Sequence, residues 1–238
     1  MNAEDDLVGE PLKKSDYKHY PRTLAADDFW GQVRRTVNGK PVGEDQIAMI
    51  TDAILAGLQL RSDDVLLDLA CGNGALSSRL YEHCGALLGV DFSEYLISVA
   101  EDNFQQPPRY VYRCQDAAYY TQAEPEPERF TKALCYGSFS FFPSESSEIV
   151  LTQLRERFVN VERVFIGNLP DRDLAHLFYR QGVPAAAVLD DHTEQIGTWR
   201  SRQDMTALAR LCGWNASFST MPSEFFSDYR YDVLLTPA

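Results

Sequence analysis

Several things that would narrow a function at once are missing from this chain. Its five cysteines (Cys71, Cys84, Cys114, Cys135, Cys212) are scattered, with no C-x-x-C pair. Such a set builds neither a disulfide frame nor a zinc site, and it fits reduced thiols in the cytoplasm. Basic residues are scarce: 22 Lys and Arg against 35 Asp and Glu give a net charge of −13. A surface of that sign repels phosphate backbones, so a nucleic-acid partner is not expected. No apolar run approaches the roughly 20 residues that cross a membrane, and Met1–Asp6 is acidic with no apolar signal core. Histidine is down to four residues, His19, His83, His176 and His192, which keeps the number of candidate proton acceptors small.

What is present is organised around Val65-Leu66-Leu67-Asp68-Leu69-Ala70-Cys71-Gly72-Asn73-Gly74. Val65–Leu69 is apolar except for one acid, as in a parallel strand covered on both faces. Gly72 and Gly74 let the chain turn tightly and approach a ligand, having no Cβ. Ala75–Leu80 reads as the first turns of a helix. Strand, glycine turn and helix N-terminus form the nucleotide-binding corner of doubly wound α/β folds. A dinucleotide corner carries a third glycine in G-x-G-x-x-G; here Ser77 stands in its place, and an acid stands four residues before Gly72.

Two more strands end in acids. Ala86–Val90 ends at Asp91, where such folds place a carboxylate for a ribose cis-diol. Ser93 is a good N-cap for a helix from Glu94 to Phe104. Arg109–Cys114 is a short strand followed by Asp116 and Ala117. The run Asp68-x-Ala70-x-Gly72-x-Gly74, with Asp91 and Asp116 after the next two strands, resembles the class I S-adenosylmethionine (SAM)-dependent methyltransferases. Ala70 replaces that family's first glycine. The resemblance implies SAM as cofactor, with Asp68 serving its α-amino group, Asp91 the ribose, Phe92 the adenine face, and Asp116 with the Ala117 N–H the adenine edge. It further implies a seven-stranded, mostly parallel Rossmann-like sheet with helices on both faces and an antiparallel last strand. Glycine-turn residues Ala70, Gly72 and Gly74 complete the expected cofactor set, with Tyr136 at the end of the fourth strand.

The fourth strand, Phe130–Tyr136, runs into Gly137-Ser138-Phe139-Ser140-Phe141-Phe142-Pro143. The [DNS]-P-P-[YF] signature of amine methyltransferases is absent there, as are the Pro-Cys pair of RNA cytosine enzymes and the paired glutamates of arginine enzymes. The three phenylalanines are expected mainly as core, with a substrate mouth as the other reading. Glu124–Glu128 reads as a stiff, solvated loop. Further on come a helix from Ser144 to Phe158, a fifth strand Val161–Gly167, a helix from Ser201 to Cys212, and closing strands Ala216–Met221 and Tyr229–Leu235.

The expected organisation is an N-terminal arm or lid over residues 1–43, then one domain over 44–238 with an insertion at about 169–197. Glu44–Leu58 has the apolar spacing of a helix. The arm's Tyr17, Tyr20 and Lys40 are candidate substrate contacts, together with Ser138 and Asn168. The phrases Asn168–Arg172, Gly197–Trp199 and Tyr229–Leu235 resemble methyltransferases encoded with bacterial surface-polysaccharide and sugar pathways, which implies a sugar or related metabolite as acceptor. An oxygen acceptor calls for a base near neutrality, for which His is the usual choice. His192, beside Asp191 and Glu194 in a long loop, is preferred, with His176 second. The alternative to a base is a divalent metal on Asp171, Asp173 or Asp191 that lowers the acceptor's pKa; the three acids form no recognised metal motif, and no metal is preferred. Two other functions share parts of the pattern: an NAD(P)-dependent reductase, disfavoured by the missing glycine, and a SAM-binding partner protein without catalysis.

Overall fold

The computed structural model describes residues 16–37, 40–225 and 227–238, with backbone alone at 36–37 and 40–41. The arm carries a short helix α1 (Phe29–Gln32) and a two-residue hairpin, β1 (Thr36–Val37) against β2 (Lys40–Pro41). There follow α2 (Glu44–Leu58), β3 (Val65–Leu69), α3 (Ala75–Ser78), β4 (Ala86–Asp91), α4 (Glu94–Asn103), β5 (Tyr110–Cys114) and α5 (Ala117–Ala123). The second half is β6 (Lys132–Tyr136), α6 (Ser144–Glu156), β7 (Arg163–Pro170), α7 (Ala175–Phe178), α8 (Ala186–Leu189), α9 (Arg202–Leu211), β8 (Trp214–Ser219) and β9 (Arg230–Pro237).

Seven strands make one sheet in the order β5-β4-β3-β6-β7-β9-β8. The pairs β5/β4, β4/β3, β3/β6 and β6/β7 are parallel, while β9 runs antiparallel to both its neighbours. This is the sheet the resemblance implies. Strand order reverses between β4/β3 and β6, so a crevice opens at the carboxyl ends there.

Each strand feeds both faces because its side chains alternate. Leu67, Leu69, Val90, Ala133 and Ile166 pack on α5, α6 and α9 through Val150, Leu154, Met205 and Ala209. Leu66, Leu87, Leu134 and Phe165 pack on α2 through Ile47, Ile50, Ile54 and Leu58. At Gly57 a Cβ would sit 2.4 Å from the Phe165 ring, so glycine is what lets α2 lie this close to the sheet.

Some local expectations change. The helix after the glycine turn stops at Ser78, where the chain tightens into i→i+3 bonds such as Leu80 N–H to Ser77 O. Glu124 is not solvated: its carboxylate is buried between Arg113 (3.3 Å) and Arg129 (3.6 Å). Helix α6 starts at Ser144 as expected, with Pro143 as its N-cap, and ends at Glu156 rather than Phe158. The closing strand β8 begins two residues early, because Trp214 is buried and its Nε1 donates to Leu151 O at 2.9 Å. Residues 171–199 wrap their own small core of Ala175, Leu189, Ile196 and Trp199, with Phe178, Tyr179 and Tyr229 against it.

Candidate active site

A cavity of about 340 Å³ opens at the carboxyl ends of β3, β4, β5 and β6. Asp68, from β3, is buried; its Oδ2 accepts the Ser77 hydroxyl at 2.5 Å. Burial pushes its carboxyl up to about 7, opposed by the Ser77 bond and the nearby Arg35 guanidinium. Asp91 ends β4. Its Oδ2 accepts Gly72 N–H (2.9 Å) and its Oδ1 accepts Ser93 N–H (2.9 Å), so one carboxylate ties the glycine turn to the start of α4. Burial raises it to about 6, held down by those N–H donors. Asp116 is exposed at the rim and caps α5 by accepting Tyr119 N–H at 3.0 Å.

The glycine turn is built for close approach. Gly72 has φ +61°, and a Cβ there would lie 2.8 Å from Val33 of the arm. Ala70 also takes a left-handed φ of +55°, a conformation costing an L-residue roughly 1–2 kcal/mol. This is the physical reason a glycine stands at that position in the family it resembles. Gly74 does not line the cavity. It sits behind the turn over Tyr112, whose hydroxyl donates to Gly74 O at 3.3 Å.

The arm forms the opposite wall. Tyr17, Lys18, Trp30, Val33 and Arg35 all line the cavity. Arg35 is the main residue that sequence reading passed over. Its guanidinium lies 4.9 Å from the Tyr136 ring centroid, its charge acts on Asp68, and its Nε is buried with no hydrogen-bond partner. Arg34-Arg35 is the only adjacent arginine pair in the chain, a signal that was there to be weighed. Phe139 is core, whereas Phe141 and Phe142 line the mouth with Ser138 and His192.

Of the expected site residues, the cavity brings together Asp68, Ala70, Gly72, Asp91, Phe92, Asp116, Ala117, Tyr136, Tyr17, Ser138 and His192. Besides Gly74, three others stand elsewhere. His176 is exposed on α7, because Ala175 and Phe178 are the positions that face the small core. Tyr20 lies under Arg34, 4.1 Å from its guanidinium carbon, outside the cavity wall. Asn168 (φ +64°) sits at the β7 bulge, its N–H bound to Asp232 Oδ1 (2.7 Å) and its C=O to Arg230 Nη1 (2.6 Å). The Lys40 side chain lies outside the described residues. Among the described residues no group of three or more His, Cys, Asp and Glu side chains is placed to hold a metal, and Asp171 instead pairs with Arg202 at 3.4 Å.

Three acids at successive strand ends around a glycine turn form the kind of corner at which open α/β sheets bind nucleosides. Residues 66–158 match the methyltransferase domain family. The sheet has the Rossmann-like fold of the class I methyltransferases, and the family match covers the segment from β3 to just past α6. A ubiquinone biosynthesis O-methyltransferase of Coxiella burnetii is 38% identical over 71 residues, which is 29% of this chain and 29% of that protein. An uncharacterised methyltransferase of Schizosaccharomyces pombe is 36% identical over 76 residues, 32% of this chain and 27% of that one. The matches thus span less than a third of these relatives' lengths. Among solved structures, a putative methyltransferase of Haloferax volcanii in complex with its Trm112 activator superposes with TM-score 0.64 at 13% identity, over 94% of this chain and 99% of that one. The magnesium protoporphyrin IX methyltransferase of Synechocystis with bound SAH gives 0.62 at 14%, over 92% and 97%.

Proposed function

We propose that this chain transfers a methyl group from SAM to a hydroxyl of a small-molecule acceptor, with residues up to 43 acting as a lid. The observation that carries the reading is that one cavity is lined by Asp68, Asp91, Phe92 and Asp116 together with Arg35, whose charge acts on Asp68. A half-buried guanidinium and a buried carboxylate in one cavity suit a zwitterionic amino-acid group: Asp68 takes the ammonium, and Arg35, with its unpartnered Nε, takes the carboxylate. Asp91 retains acceptor capacity for a ribose diol after its two backbone bonds. Phe92, 43% exposed, offers a ring face to adenine, and Asp116 with the Ala117 N–H meets the adenine edge.

SAM supplies a methyl on a sulfonium, which leaves by in-line displacement. The chain's part is alignment and one proton. His192, at the cavity wall, accepts the acceptor's hydroxyl proton; the new C–O bond forms as the S–CH₃ bond breaks, its electron pair staying on sulfur. Oxygen as the acceptor atom is supported by the partial likeness to an O-methyltransferase and by the absence of an amine-gripping signature after β6. The sugar class implied by the shorter sequence phrases has no further support. A dinucleotide reading is disfavoured because Ser77 fills the third glycine position and binds Asp68.

Calorimetry of the full chain with SAM, SAH and NAD tests the reading, followed by turnover of a hydroxylated acceptor panel with labelled SAM. SAM binding that weakens about tenfold or more in Arg35→Met is expected, from the roughly 1.5–3 kcal/mol of a charge-assisted bond. Tight NAD binding with none for SAM would overturn it.

A further inference from the structure

The cavity is lined by three acids, Asp68, Asp91 and Asp116, and by two cations of the arm, Arg35 and Lys18. Lys18 comes from a turn fixed by Asp16. The Asp16 Oδ1 accepts Lys18 N–H (3.1 Å) and His19 N–H (2.9 Å), and its C=O accepts Tyr20 N–H (3.2 Å). This turn docks where α4 begins, through two cations on two aromatic rings. The Lys18 ammonium lies 5.6 Å from the Phe92 ring centroid, and the Arg22 guanidinium carbon lies 5.1 Å from that of Tyr95. The two contacts differ in one respect: Lys18 and Phe92 line the cavity, whereas Arg22 and Tyr95 do not. Phe92 stays exposed beneath the ammonium, and Lys18 is exposed itself. Among the described residues Lys18 makes no ion pair with a carboxylate. Its ammonium is thus held at the cavity by a ring face.

A planar group lying against Phe92 has to enter between that ring and the ammonium. A lysine stem is long and flexible, so the head can leave one ring face and settle on another. Cations are drawn to the π face of an aromatic ring, nucleobases included, and the attraction grows as water leaves. Resting on the SAM reading above, we infer that Lys18 forms the second wall of the adenine slot: the base lies between Phe92 and the ammonium, which exchanges the phenyl face for the purine face. The arm then grips the cofactor at both ends, by Arg35 at the amino-acid group and by Lys18 at the base. Tyr17, the residue before Lys18, stands edge-on to Phe141 at the cavity mouth, ring centroids 5.1 Å apart. One dipeptide of the arm therefore reaches both the base and the mouth.

The test is calorimetry of the full chain with two probes. SAH carries base, ribose and amino-acid group; 5′-methylthioadenosine carries base and ribose without the amino-acid group and is also read by displacement of SAH. Lys18→Met is expected to weaken both probes by the same factor, about three- to tenfold. Lys18→Arg keeps a cation able to stack and should stay within twofold of the unsubstituted chain. Arg22→Met removes the neighbouring contact outside the cavity and should also stay within twofold. A role in docking the arm alone would weaken the probes equally in Lys18→Met and Arg22→Met, and that result would overturn the inference. Unchanged binding in Lys18→Met would overturn it too, as would tighter binding, which would make Lys18 a plug. A loss confined to SAH would place the ammonium at the amino-acid group and overturn it as well. In each of these outcomes the unsubstituted chain still binds SAH and the SAM reading stands; if that chain binds neither probe, both fall.

Discussion

The two halves of the cavity are assembled by different rules. The half proposed for the cofactor takes Asp68, Asp91 and Asp116 from the ends of three adjacent parallel strands. The register pairs Asp68 with Gly89 and Asp91 with Cys114, so the sheet itself aligns the acids. The half proposed for the acceptor takes Tyr17 from the arm, Phe141 and Phe142 from the turn after β6, and His192 from the loop after α8. Each of those segments arrives by a separate route, and only the closed fold puts them side by side. Strand-end sites are positioned by backbone hydrogen bonding; convergent sites are positioned by loops, which vary more and carry specificity.

That difference governs how the two halves respond to change. The largest expected effect falls in the acceptor half. His192→Ala should lower kcat at least 100-fold, the lower end of what a positioned base contributes, with SAM affinity unchanged by calorimetry. Retention of kcat within tenfold would remove the base from His192 and leave alignment as the whole of that half's contribution. In the cofactor half, Asp91→Ala should weaken SAM by about 1.5–3 kcal/mol, roughly 10- to 100-fold. It also strips Gly72 N–H and Ser93 N–H of their acceptor, so a loss of melting temperature is expected with it. SAM affinity that survives this substitution would show that the strand-end acids are structural.

A pH experiment sharpens the test of the strand-end acids. Burial holds Asp68 at about 7 and Asp91 at about 6, against 3.8 for an ordinary aspartate. Between pH 4 and 7 the folded chain therefore binds more protons at these sites than the unfolded chain. By linkage, the stability of the free protein falls as pH rises through that window, by at most about 1.4 kcal/mol per pH unit for each group. SAM needs both groups ionised, so its affinity should rise over the same window. Melting curves from pH 5 to 8, with and without SAH, should diverge, and Asp68→Asn should flatten the part due to Asp68. Parallel curves would mean that the cofactor does not meet these carboxylates.

The same contrast explains what could be read in the chain. The strand Val65–Leu69, the acids after three strands, the Ser93 cap and the Ser201–Asp204 capping box around α9 are local patterns, and each stands where the pattern implies. Glu124 was missed because its burial depends on Arg113 and Arg129, neither of which marks it in sequence. His176 and His192 both lie past the fifth strand, and only the packing of Ala175 and Phe178 turns one outward. Arg35 belongs to no motif; its importance comes from lying across the cavity from Asp68, a relation that exists only after the arm has folded back.

The smallest expected effect probes the seam between the halves. Gln32, in α1, is fully buried. Its Nε2 donates to Ala25 O (3.0 Å) and Ala26 O (3.2 Å), and its Oε1 accepts from Asn73 Nδ2 at 2.9 Å. Asn73 stands between the two glycines of the turn, and the same Nδ2 also reaches Phe29 O at 2.8 Å. The arm is thus keyed into the glycine turn by one buried amide pair. Gln32→Ala deletes all three of these bonds and leaves Asn73 Nδ2 only Phe29 O; the one lost bond that reaches the turn should weaken binding by about 1 kcal/mol, or roughly fivefold. Because the arm carries Arg35 as well as Tyr17, the loss should appear in both SAM affinity and acceptor KM. SAH should also protect the arm from limited proteolysis less well than in the unsubstituted chain. If acceptor KM rises alone, the arm belongs to the acceptor half and Arg35 does not hold the cofactor. If both move together, the two halves meet at Asn73, and the glycine turn binds the cofactor and docks the lid with the same few residues.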